Sequence, residues 1–168
     1  AYGLKAADFA LRLNNRKIVN YVLREVCPFS EEIAHKLAKL IDKKNKMKPE
    51  AFEITVREIF QKEKAAVGDP NVAADKFLTL LNSKNFEEFT SRLPQTKEEH
   101  VGLTEIRTVI FGLEKLGIAN VRFDQTLMRG FAYYTGIVFE VFDLNPAIIR
   151  YVFGGGRYDD LLALLGNE

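Results

Sequence analysis

The residues in this chain with the clearest chemical potential lie in one run, Leu127-Met128-Arg129-Gly130-Phe131-Ala132-Tyr133-Tyr134-Thr135-Gly136-Ile137-Val138-Phe139-Glu140. Arginine stays charged and can hold a carboxylate or phosphate through two parallel hydrogen bonds. Tyrosine hydroxyls can orient a small polar ligand inside an apolar pocket. A glycine within a strand marks close approach by a ligand or by other backbone. The run therefore has the parts of a small-molecule site. A core strand whose tyrosines only pack, with Arg129 at the surface, would have the same pattern.

A second run, Phe153-Gly154-Gly155-Gly156-Arg157-Tyr158-Asp159-Asp160-Leu161-Leu162, looks at first like a phosphate loop. It lacks the Lys-Ser/Thr pair of a P-loop and the spacing of the dinucleotide fingerprint. Asp159 and Asp160 are expected in the first turn of a helix, where they would compete with phosphate for the same dipole and N–H groups. Two readings remain: a tight passage bringing backbone close to a substrate beside Tyr158, or a plain strand-to-helix turn. Lys43, Lys44, Lys46 and Lys48 form a basic stretch that could touch nucleic-acid phosphates, or simply complement a helix C-terminus. No aromatic residue is interleaved among them to stack on bases. His35 and His100 lie far apart in helical patterns without a second ligand at suitable spacing, so no metal site is expected.

The elements that must position these residues fall into three segments. Phe9, Leu11 and Leu13 alternate with Ala10, Arg12 and Asn14, which predicts a strand buried on one face. After Asn14-Asn15 a helix carries Ile18, Val19, Val22, Leu23 and Val26, and Cys27-Pro28-Phe29 ends it. Ser30 then caps a helix with Glu31 and Glu32 in its first turn and an Ile33, Leu37, Leu40, Ile41 stripe. Pro49 opens a second helix with Phe52, Val56, Ile59 and Phe60. Gly68-Asp69-Pro70 is a turn. Shorter helices follow around Phe77 to Leu81 and Phe86 to Leu93, giving a bundle of roughly four helices.

The third segment opens on Thr96 and Glu99, read as a capping box. Its helix runs through Leu103, Ile106, Ile110 and Leu113 to a stop at Gly117. The period then changes to two, with strands expected at Val121 and Phe123, from Phe131 to about Phe142, and at Val152 and Phe153. A final helix is expected from near Tyr158. Sheet, bundle, sheet is the pattern of an α+β domain interrupted by a helical insertion.

Composition sets outer limits. The 168 residues are 47% hydrophobic and 28% charged, as in an ordinary globular domain. Twenty-four Lys and Arg against 23 Asp and Glu leave a net charge of +1, which neither announces nor excludes a nucleic-acid partner. Cys27 is the single cysteine, so an intrachain disulfide is excluded and a reducing, cytoplasmic setting is expected. No run reaches the ~18 apolar residues of a membrane span. The chain does not begin with Met and opens inside an expected strand, so it is expected to be an internal piece of a longer protein.

Arg129-Gly130-x-x-Tyr133-Tyr134-Thr135-Gly136, followed by Gly154-Gly155-Gly156-Arg157-Tyr158-Asp159, resembles the two histidine-specific motifs of histidyl-tRNA synthetases. The flanks Asn120 to Asp124 and Phe142 to Pro146 agree. Asp8 to Arg16 resembles the strand after that family's second class II motif. The segment between is similar in position and helical character to the insertion domain of bacterial members. The resemblance implies a partial class II antiparallel sheet with helices. Residues 1–29 and 96–168 would belong to the catalytic domain and 30–95 to the insertion.

The implied activity is histidine–tRNA ligation: histidine is activated with ATP, which brings magnesium as part of that substrate, and is passed to the 3′ end of its tRNA. No covalently bound cofactor is implied. The parent would be a homodimer, with the insertion near the tRNA acceptor stem. Arg129 matches the arginine that contacts the α-phosphate and stabilises developing charge. Tyr133 and Tyr134 match the pair that helps bind histidine. Successive side chains of a regular strand face opposite ways, which favours Tyr134, on the same face as Gly136, for the imidazole. Tyr158 matches a tyrosine near the histidine pocket, and Gly155 and Gly156 match backbone lining it.

Ala132 departs from the pattern, standing where many members carry Asp. The dimer motif, the ATP-binding arginine of the second class II motif, the last Gly-rich motif and the anticodon-binding domain are absent from the sequence. The piece alone is therefore expected to be inactive. The alternative is the non-catalytic relative that regulates ATP phosphoribosyltransferase in histidine biosynthesis. Those relatives usually lack the paired tyrosines and much of the insertion, both present here, which favours the ligase. A third possibility makes the helical segment a protein- or RNA-binding module on a sheet scaffold.

Overall fold

In the computed structural model the described residues are 5–97, 99–128, 134–145, 150–164 and 166. The first alternating segment forms strand β1, Phe9–Asn15. It joins β2 (Val121–Phe123), β3 (Ile137–Asp143) and β4 (Arg150–Gly156) in one sheet of order β2-β1-β3-β4. β1 pairs antiparallel with β3, Asn15 opposite Ile137, and β3 pairs antiparallel with β4, Val138 opposite Gly156. The β1–β2 pairing is parallel, Leu11 opposite Val121, so the sheet is mixed rather than wholly antiparallel. A parallel return needs a long connection, and here more than a hundred residues separate the partners.

Burial on β1 departs from the one-faced expectation. Ala10, Leu13, Asn14 and Asn15 are all buried, whereas Phe9 and Leu11 are half-buried. β1 is an interior strand, and helix α7 (Val101–Lys115) packs against it, so neither face of its C-terminal half meets water. Arg12 is held by Asp124 at 3.3 Å and lies 4.1 Å from the centre of the Phe142 ring.

Four further boundaries differ from the sequence expectation. The α7 helix begins at Val101, capped by His100, whose Nδ1 accepts from the Gly102 N–H at 3.2 Å. Thr96 and Glu99 therefore lie ahead of the helix and not in its first turn, and the Glu99 carboxylate accepts from Arg107 and Thr104 at 2.6 and 3.1 Å. β3 starts at Ile137, so Tyr134, Thr135 and Gly136 precede it. Gly154 to Gly156 belong to β4 rather than to a turn, and the last helix covers only Leu161–Leu164, leaving Asp159 and Asp160 ahead of it. The α7 stop is as expected. Gly117 has φ of 77°, the Ile118 N–H reaches the Leu113 carbonyl at 2.9 Å, and the Gly117 N–H reaches that of Glu114 at 2.9 Å. This is a Schellman ending.

The chain divides into two compact units, residues 1–17 with 98–168, and residues 18–97. The second begins within α1 (Arg16–Tyr21), which runs on into a π-helical turn, Val22–Val26, closed by the Cys27 N–H on the Val22 carbonyl at 2.9 Å. α2 (Glu31–Asp42) is capped by the Ser30 hydroxyl and α3 (Pro49–Lys62) starts on its proline. A short α4 (Lys64–Val67) leads to Gly68. Asp69 then caps α5 (Pro70–Leu81), and Asn85 caps α6 (Phe86–Ser91). Phe60 joins the core, 4.9 Å ring to ring from Phe29 and 5.4 Å from Phe77. Burial pushes the Cys27 thiol up to about 11, so it is protonated and a poor nucleophile at neutral pH. No helix among the described residues is long and apolar enough to cross a membrane.

Phe60 is 0% exposed, and its removal leaves a cavity between α3, α5 and the loop that carries Phe29. Phe60→Ala is expected to cost the helical unit ~3–5 kcal/mol, read by denaturant unfolding. A loss below ~1 kcal/mol would show that this core is not close-packed.

Candidate site at one end of the sheet

The strand directions gather the chemically interesting residues. β1, β2 and β4 run one way and β3 the other. The ends of β1, β2 and β4 therefore lie where β3 begins. Lys17 follows β1, residues Asp124 to Met128 follow β2, Tyr134 to Gly136 precede β3, and Arg157 to Asp159 follow β4.

At this end the Tyr134 and Tyr158 rings lie 4.5 Å apart, centroid to centroid, tilted by 42°. Gly156 makes the space. A Cβ there would come within 2.5 Å of the Tyr134 ring and 2.7 Å of the Ile137 carbonyl. A Cβ on Gly154 would meet the Phe139 carbonyl at 2.4 Å, so the glycines let β4 lie close against β3. Pairing continues past the regular strands, with the Thr135 N–H on the Arg157 carbonyl at 2.9 Å and the Arg157 N–H on that of Ile137 at 2.8 Å. Of the residues singled out from sequence, Tyr134, Tyr158 and Gly156 thus come together, and Gly155 lies beside Gly156 opposite Phe139. Arg129 and Tyr133 lie outside the described residues.

Two buried asparagines form the floor of this end, and sequence reasoning did not give them that part. Asn14 donates to the carbonyls of Gln125 at 3.4 Å and Leu127 at 3.0 Å, and accepts from the Asn15 N–H at 2.8 Å. Asn15 donates to the Gly102 carbonyl at 3.3 Å and to Glu105 at 2.6 Å. Glu105 also takes an ion pair from Lys17. Burial alone pushes the Glu105 carboxyl up, but the hydrogen bonds from Lys17 and Asn15 outweigh it and hold the group below its ordinary value. Arg157 and Lys17 add weaker favourable charge. The available signal was two adjacent amides on an otherwise apolar strand, since buried polar groups need partners.

The four lysines lie elsewhere, in the helical unit. Lys43 ends α2, Lys44–Lys46 makes a 3-10 turn, and Lys46 reaches Asp42 at 3.5 Å. Lys43, Lys46 and Lys48 are exposed and Lys44 half-buried. They follow directly on the negative end of a helix dipole.

The fold is α+β, a four-stranded mixed sheet with its helices and a separate helical unit. Similarity to known proteins narrows this. The family model for histidyl-tRNA synthetase matches residues 2–168. The histidine–tRNA ligase of Leptospira biflexa is 32% identical over 170 aligned positions, taking in 100% of this chain and 36% of its own length. The crystal structure of histidyl-tRNA synthetase from a Nostoc species superposes with a TM-score of 0.72 at 25% identity, over 94% of this chain and 37% of that one. A Bacillus halodurans structure described as ATP phosphoribosyltransferase regulatory subunit/histidyl-tRNA synthetase gives 0.72 at 25% identity, over 93% and 38%. The chain belongs to the histidyl-tRNA synthetase family. It spans about 36% of the length of the Leptospira relative.

Because the folded Glu105 carboxyl lies below its unfolded value, its contribution to stability is fully present above the unfolded value of ~4.3. It is lost as pH falls through the folded value. Glu105→Gln is expected to cost ~1–2 kcal/mol at neutral pH and to flatten the acid limb of a stability-against-pH curve. Parallel curves for the two proteins would remove Glu105 from the acid response.

Proposed function

We propose that the protein containing this chain is a histidine–tRNA ligase, and that this chain supplies the histidine-recognising side of its active site. The observation that carries the reading is the Tyr134–Tyr158 pair at the sheet end, 4.5 Å apart and given room by Gly156. Two rings in contact at the strand ends offer an apolar aromatic face on which an imidazole could stack, each ring carrying a hydroxyl. Gly155 and Gly156 line it with backbone, and Tyr133 is the second member of the family's tyrosine pair. Arg129, in the sequence between the ends of β2 and β3, would set a fixed cation against the α-phosphate as the histidine carboxylate attacks.

Under this reading ATP enters with its magnesium as substrate, the second substrate is histidine tRNA, and the working protein is a cytoplasmic homodimer. Residues 30–95 would be the family's insertion, with Lys43, Lys44, Lys46 and Lys48 available to acceptor-stem phosphates. The competing assignment, a regulatory subunit of ATP phosphoribosyltransferase, takes its support from the dual description of the Bacillus halodurans structure.

The full-length protein is expected to catalyse histidine-dependent exchange between ATP and pyrophosphate. Absence of exchange from a soluble, folded preparation would refute the ligase reading and leave the regulatory one. In the same assay Arg129→Ala should lower turnover ~10²–10³-fold with little change in histidine affinity. An equal loss of affinity would make Arg129 a binding residue instead.

A further inference from the structure

Each tyrosine of the pair sits next to a residue of a second network. Thr135 follows Tyr134, while Arg157 and Asp159 flank Tyr158. The Thr135 hydroxyl donates to Asp159 Oδ2 at 2.7 Å and accepts from the Asp159 N–H at 2.9 Å. The other carboxylate oxygen, Oδ1, accepts from Arg157 Nε at 2.6 Å. The Arg157 side chain lies across Gly136, its Cδ 3.0 Å from where a Cβ would stand. Arg157 is also bonded through its backbone to Thr135 and Ile137. The segment after β4 is thereby laced to the segment before β3 at 135–157, 135–159 and 136–157, around the one ring contact at 134–158.

The lacing matters because the ladder gives out here, its last backbone bonds lying at Thr135 and Arg157, each one residue short of a ring. Tyr134 precedes β3 and Tyr158 follows β4, so neither ring is fixed by regular strand pairing. Loose strand ends fray, and a ring displaced by ~1 Å degrades a site that depends on orientation. A reciprocal side-chain-to-backbone bond, with the hydroxyl acting as donor and acceptor to the same residue, fixes both distance and rotation. Arg157 holds the carboxylate in the rotamer that meets Thr135. The charges around it alternate, with Lys17 favouring the Asp159 carboxylate and Glu105 favouring the Arg157 guanidinium.

We propose that Thr135 and Asp159 are positioning residues for amino-acid recognition, acting as a clip that sets the spacing and tilt of Tyr134 and Tyr158 without touching the substrate. The proposal rests on the ligase reading for its substrate, but the geometry of the clip does not. Thr135→Val keeps the shape and branching and removes the hydroxyl, Thr135→Ser restores it, and Asp159→Asn keeps an acceptor while removing the charge that holds Arg157.

The test uses the full-length protein, with steady-state ATP–pyrophosphate exchange, thermal unfolding and a crystal structure of Thr135→Val. Thr135→Val should raise the histidine KM about tenfold, with the ATP KM and the melting midpoint close to wild type. Thr135→Ser should return the histidine KM to within about twofold of wild type and Asp159→Asn should fall between. In the Thr135→Val crystal the Tyr134 and Tyr158 rings should separate or change tilt. Unchanged histidine KM, a parallel rise in both KM values, failure of the serine to rescue, or an unmoved tyrosine pair each overturns the clip. If wild type shows no histidine-dependent exchange, the ligase reading fails and the substrate role with it, while the crystal still decides whether the clip sets the ring geometry.

Discussion

Two neighbouring amides, Asn14 and Asn15, join parts of the chain that lie 87 to 113 residues apart. They are 1% and 0% exposed, and a buried amide without partners costs more than a made hydrogen bond returns. Their carbonyls and N–H groups meet the loop after β2, the first turn of α7 and the start of the helix that follows β1. No buried side-chain polar atom among the described residues lacks a partner. The helical unit separates β1 from everything it pairs with, and closing so long a loop carries an entropic penalty. Specific bonds at the strand end, together with β1 burial, are what bring α7, β2 and β3 back to one place.

From that anchor the site follows by strand direction. Once Asn15 fixes the end of β1 against Ile137, β3 must begin there, and β4, antiparallel to it, must end there. Glycine then decides how close the last two strands lie. The surface ion pairs scattered over α2, α3 and α7 add little by comparison, since exposed pairs contribute roughly 0–1 kcal/mol. The Lys17–Glu105 pair differs because both partners are mostly covered and Asn15 shares the carboxylate.

Much of this was readable from residue types, and the failures have physical causes. Ser30, Pro49 and Gly117 act locally, through a hydroxyl, a fixed φ and a left-handed φ, so they mark helix ends without knowledge of the rest of the fold. Thr96 does not mark a helix start because the helix begins five residues later, with His100 accepting from the Gly102 N–H as its cap. Of the strand expected from Phe131, the regular part starts only at Ile137, although backbone bonds run on past it, the Thr135 N–H to the Arg157 carbonyl and the Arg16 N–H to the Gly136 carbonyl. Propensity does not say where a partner strand ends. The glycines were read as a turn because glycine permits many conformations. Here its missing side chain is what counts, and the tyrosine that fills that space lies 22 residues earlier.

The placement of the tyrosines also bears on what a strand-end site can achieve. An apolar slot alone separates ligands by size, and a methylene is worth only about 1–3 kcal/mol of discrimination. A slot whose polar rim must be matched rejects a ligand lacking the right donors far more strongly, because the rim groups are then left unpaired. That advantage exists only while the rim is rigid, since a loose hydroxyl turns to water or to a neighbour. Regular strand pairing cannot supply the rigidity here, because both rings stand outside it. Reciprocal side-chain bonds between the segments that carry the rings add to the last backbone pairs at Thr135 and Arg157, where the regular ladder gives out and side-chain geometry has to take over.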